Sequence, residues 1–94
     1  MARIFSVRFS LSNTFYDALV NVVACAGFLE YHMKAGDDMI NDIIKDCNIF
    51  RLERNKFTLK KKPGTKEAAT ILRSVQNAIS EHETKRLPVV SLIL

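Results

Sequence analysis

Residues 13–34 read NTFYDALVNVVACAGFLEYHMK, and the period assigned to their apolar positions decides the fold. Phe15, Leu19, Val22, Ala26, Leu29 and Met33 recur at steps of three and four, the spacing of one helical face. Ala18, Val20, Val23 and Phe28 widen that stripe until little polar face remains, which predicts a central helix covered on most sides. Gly27 is its weak point, where a left-handed cap would end the helix and let FLEYHM continue as a short strand. The polar residues also change side there: Asp17 and Asn21 share one face, Glu30 and Lys34 the other. Against a break, residues 28–34 hold no β-branched side chain, Glu30 and Lys34 form an i,i+4 pair, and Gly36 supplies the stop. We expect the helix to run through.

Working outward, residues 3–11 alternate Phe5, Val7, Phe9 and Leu11 against Ile4, Ser6, Arg8 and Ser10, the pattern of a half-buried strand. Ser12, Asn13 and Thr14 follow as helix-cap candidates, with Asp17 placed for a helix N-terminus. Downstream, residues 37–46 predict a second helix with Met39, Ile40, Ile43, Ile44 and Cys47 inward and an acidic outer face. Residues 49–61 predict a hairpin, with Phe50, Leu52, Phe57 and Leu59 inward and a turn near Arg54-Asn55-Lys56 that lacks the Asn-Gly pair of the tightest turns. Pro63-Gly64 breaks the chain before a helix capped by Thr65 and reaching about His82, with Ala68, Ile71, Leu72, Val75, Ala78 and Ile79 as its stripe. Glu83 to Arg86 then read as a polar link and Pro88 to Leu94 as a strand inside the sheet. The expected fold is a single small α+β domain over residues 1–94, in the order β-α-α-β-β-α-β, with about four mainly antiparallel strands packed against helices.

Composition supports one ordered domain: 94 residues, 48% apolar, three Gly and two Pro. The N-terminus intersperses arginines with apolar residues and does not read as a signal peptide. The longest apolar run, Ala18 to Leu29, is interrupted by Asn21 and falls short of the roughly 20 residues that span a bilayer, so we expect a cytoplasmic protein with no membrane contact. Cys25 and Cys47 then read as reduced core thiols inside helical patterns.

The net charge of +4 is unevenly spread. Arg51, Arg54, Lys56, Lys60, Lys61, Lys62 and Lys66 gather on the hairpin and the turn after it, while Asp37, Asp38, Asp42 and Asp46 mark the helix before it. The basic set suits phosphates or acidic side chains; the plainer reading is an edge hairpin whose lysines discourage strand pairing. The aromatic platforms of single-strand binders are missing there, because Phe50 and Phe57 point inward by alternation. A winged-helix reading fails on the acidic helix, which would repel the phosphate backbone. His32, His82, Cys25 and Cys47 offer metal-ligand atoms without a paired spacing, so no metal site is expected. Asp37-Asp38 suit helix capping better than acid-base work, and Gly27, Gly36 and Gly64 are too isolated for a phosphate loop.

These readings favour a small non-enzymatic binding protein, an inhibitor, adaptor or accessory subunit with no cofactor. It would dock on a protein partner, such as a nucleic-acid-processing complex, through the basic hairpin and the acidic helix as second contact surface. The alternatives are direct nucleic-acid binding through residues 51–66 and self-assembly as a homodimer.

Overall fold

In the computed structural model, which describes residues 2–86, the stretch expected to be a central helix is a hairpin of two strands, β2 (Thr14–Cys25) and β3 (Phe28–Ala35). Ala18, Val20 and Val22 are buried while Asp17, Leu19 and Asn21, which alternate with them, are exposed, a period of two rather than 3.6. Thr14, Phe15, Tyr16, Val20, Val22 and Val23 favour strands, and pairing on both sides of β2 overrides the helical spacing. Gly27, with φ +88, takes the left-handed turn position that a side chain would strain.

Before this hairpin lies β1 (Ala2–Leu11), which pairs antiparallel with β2 from Leu11↔Thr14 to Ala2↔Val23. Ser12 and Asn13 cap no helix. At φ 48 and 66 they form a two-residue turn whose twist matches the strands it joins. The second hairpin is found where expected, as β4 (Ile49–Glu53) and β5 (Lys56–Leu59). Its turn residues Arg54 and Asn55 also take positive φ, 53 and 65, so a tight turn forms without glycine. Within the described residues the strands make one five-stranded antiparallel sheet in the order β1-β2-β3-β4-β5.

Two helices interrupt and follow the strands, α1 (Asp38–Ile44) and α2 (Lys66–Arg86). The described order is therefore β-β-β-α-β-β-α, with five strands instead of about four. Residues 83–86 continue α2 instead of forming a link, and the strand expected at residues 88–94 lies outside the described residues.

Both helices cover the same face of the sheet. Val7, Phe9, Ala18, Val20, Val22, Tyr31, Met33 and Phe50 meet Ile40, Ile44, Ala68, Ile71, Leu72, Val75 and Ile79 in one core. Each fully buried Val, Leu, Ile, Phe or Met side chain among them contributes about 1.5–3 kcal/mol. Asp37 caps α1 by accepting the Met39 and Ile40 N–H groups at 2.9 and 3.2 Å, and Asn41 holds the helix to β3 through the N–H and carbonyl of Ala35. Met39, expected inward, is 71% exposed because the short helix turns only Ile40 and Ile44 fully into the core. Thr65 caps α2 by accepting the Ala68 N–H at 3.1 Å. At the other end of α2, Glu83 accepts from Arg3 and from the Tyr31 hydroxyl, and His82 stacks on Phe5 at 4.0 Å. Cys25 and Cys47 are both free, but of the two expected core thiols only Cys47 is buried; Cys25 is half-buried at the end of β2, Cys47 follows α1, and neither lies within a helix.

Candidate functional site

An antiparallel sheet with helices on one side leaves the other side to water or to a partner. Among the described residues that side is open here, and it is not uniformly polar. Ile4 and Phe15 are each 69% exposed and Leu19 is 58% exposed on β1 and β2. The stretch expected to be enclosed thus presents half its side chains outward.

Across β3, β4 and β5 the same face becomes charged. Register places Glu30 beside Arg51, with Thr58 next in the row. The Glu30 carboxylate meets the His32 Nε2 at 3.1 Å and accepts from Lys60 Nζ at 3.2 Å, with an Arg51 terminal nitrogen at 3.8 Å. Hydrogen bonds from His32 and then Lys60 outweigh burial and hold the Glu30 carboxyl below its ordinary range. Arg51 lies over the Phe28 ring, 4.1 Å from its centre, and among the described residues its buried Nε has no hydrogen-bond partner. The result is an ionic cluster around one carboxylate, with its arginine over one aromatic ring.

The seven basic residues singled out from the sequence divide accordingly. Arg51 and Lys60 belong to the Glu30 cluster on the open face. Lys61 pairs with Asp46, so a member of the basic set and a member of the acidic set neutralise each other where β5 ends beside α1. That bond lowers the Asp46 carboxyl and raises the Lys61 ammonium, each from its usual value. Arg54, Lys56, Lys62 and Lys66 are exposed and make no ion pair among the described residues. Of the acidic set, Asp37 is occupied in capping α1, while Asp38 and Asp42 are exposed.

The alternation of residues 3–11 set Ile4 on the outer face, as found, but sequence reasoning missed Phe15, Leu19, Phe28, Glu30 and His32 as members of this surface. The signal that would have found them is alternation: once residues 14–25 are a strand, Phe15 and Leu19 must oppose the buried Ala18 and Val20. His32 is a strand residue on the open face, and His82 is partly buried against Phe5. Among the described residues, no group of three His, Cys, Asp or Glu side chains is arranged to hold a metal ion. Among the same residues, no helix is long and apolar enough to cross a membrane. Comparison of the chain with protein-family models, curated proteins and solved structures returned no match.

Proposed function

We propose that this protein is a non-enzymatic docking module, an inhibitor, adaptor or accessory subunit, whose contact surface is the open sheet face with the adjoining basic hairpin. The observation that carries this reading is a sheet face that no described residue covers, in which Ile4, Phe15 and Leu19 are more than half exposed on the same side as Arg51 and Lys60. Exposed apolar side chains rimmed by charge are the usual composition of a protein contact surface. Lys56, Lys62, Arg54 and Lys66 are unneutralised by neighbours among the described residues, so the matching partner surface is an apolar patch with an acidic rim. Exposed Asp38 and Asp42 offer a second contact of opposite sign.

The test compares the full chain with a Phe15→Glu, Leu19→Glu double variant as bait in its native host. The variant should retain the parent circular dichroism and lose a partner that the parent holds in stoichiometric amount. Identical partners on both baits would refute the reading. The same four cations also support direct nucleic-acid binding. That reading predicts a gel shift at low salt that weakens steeply as salt rises and is lost in a Lys56→Ala, Lys62→Ala, Lys66→Ala variant.

A further inference from the structure

Among the described residues, the two edges of the sheet are built differently. At one edge, β5 is four residues long and carries Lys56, with Lys60, Lys61 and Lys62 immediately after it, a short and charged border of the kind that blocks further pairing. At the other, β1 is ten residues long, with no lysine and no proline. Its backbone polarity follows from the turn. A two-residue hairpin closes on a hydrogen-bonded pair, Leu11↔Thr14, so the odd residues of β1 bond to β2 and the even ones aim their N–H and C=O groups away from the sheet. The Ser74 hydroxyl confirms this polarity by donating to the Ser10 carbonyl at 2.8 Å. The backbone groups of Ile4, Ser6 and Arg8 have no such partner among the described residues.

Beside that edge runs a groove walled by α2. One part, of 470 Å³, lies between Arg3, Ile4, Phe5 and His82, Lys85; the next, of 220 Å³, continues along Ser6, Val7 and Arg8 against Ala78 and Glu81. The groove thus follows consecutive residues of β1, as a site for an added strand must.

We infer that β1 pairs antiparallel with β1 of a second copy, joining the two sheets edge to edge across a two-fold axis. The strand complements itself. Pairing centred on Ser6 sets Ser6 against its own mate and Ile4 against the partner's Arg8, so residues with outward-aimed backbone groups meet each other. Every pair in that register is even with even or odd with odd. Phe5, Val7 and Phe9 therefore stay on the helix side in both copies, and the two Arg8 side chains are kept apart. Ile4, 69% exposed in the single chain, gains the methylenes of the partner's Arg8 as cover. The open faces of the two copies then form one continuous surface, and the inference stands whether or not that surface is the docking site proposed above.

The test is the mass of the full chain in solution at micromolar to millimolar concentration, with hydrogen exchange at the Ile4, Ser6 and Arg8 amides. The expected result is twice the 10.7 kDa chain mass with those three amides protected. Ser6→Lys and Ser6→Pro alter the edge without removing a β1–β2 bond, and each should weaken the dimer about tenfold or more while leaving circular dichroism unchanged. If the proline variant does not fold, the lysine variant decides. Three results would overturn the inference: a monomer with exchanging amides, whose edge is bare; a monomer with protected amides, whose edge is filled from its own chain; and a dimer indifferent to Ser6→Lys.

Discussion

Glu83 ties the last turns of α2 to two strands at once, and replacing it by glutamine isolates the value of that tie. Its carboxylate accepts from both terminal nitrogens of Arg3 on β1 and from the Tyr31 hydroxyl of β3 at 3.0 Å. Glu83→Gln keeps the shape and most of the packing but removes the charge, so Arg3 loses its counter-ion. Hydrogen bonds to a charged group contribute about 1.5–3 kcal/mol each where buried. The Arg3 side chain is 31% exposed and that of Glu83 17%, so water recovers part of the loss and the expected cost is about 1–2 kcal/mol. Burial pushes the Glu83 carboxyl up, but the donors from Arg3 and Tyr31 outweigh it and hold it below its ordinary 4.5. A carboxylate held low stabilises the folded state above its unfolded value and loses that contribution as pH falls through the folded value. Urea unfolding of parent and variant should therefore show the full gap near pH 7 and a shrinking one below about pH 4.5. A gap that is constant down to about pH 2.5, or absent at neutral pH, would refute the reasoning.

Other perturbations test the neighbouring links. Leu19→Asp should change stability by less than about 0.5 kcal/mol, whereas Val20→Asp, one residue along and 0% exposed, buries an unpaired charge and should abolish cooperative unfolding; equal effects would restore a helix. Gly27→Ala meets no atom within 4 Å yet must hold φ +88, so thermal melts should show a loss of about 1–2 kcal/mol, while Gly64→Ala, also in open space, should be neutral or slightly stabilising. Burial, and then the bond to Glu83, push the Tyr31 hydroxyl up to about 12. The stability linked to that raised value is present below the ordinary 10.0 and lost as pH rises towards about 12, so Tyr31→Phe should flatten the alkaline decline seen by ultraviolet-monitored unfolding.

The elements that the sequence made legible share one property: each carries a single unambiguous period or a strong punctuation mark. Thr65 and the stripe from Ala68 to Ile79 define α2, Pro63-Gly64 its boundary, and the alternation around Phe50 and Phe57 defines the second hairpin. Asp37 caps α1 as its position before an apolar run suggests. Residues 14–25 satisfied two periods at once. Phe15, Leu19 and Val23 sit four apart and mimic a helical ridge, while Ala18, Val20 and Val22 alternate as a strand requires. What decided between them was long-range pairing with β1 on one side and β3 on the other, which no local window contains. The tight turn at Ser12-Asn13 was equally hidden, because serine and asparagine serve helix caps and left-handed turns alike. The Glu30 cluster was out of reach for the same reason, since Glu30, Arg51 and Lys60 meet only through sheet register.

That ambiguity itself bears on function. A strand buried on one face needs apolar residues at every second position only, and polar ones between them satisfy water. Asp17 and Asn21 of β2 obey this rule; Phe15 and Leu19 break it, and they are the residues that completed the false helical stripe. Neither is retained by the core, because the opposite side of the sheet already supplies Ala18, Val20 and Val22 to the helices. An exposed phenylalanine and leucine raise the tendency to aggregate without stabilising the monomer, and the docking role proposed above would account for their place on the open face by contact with a partner.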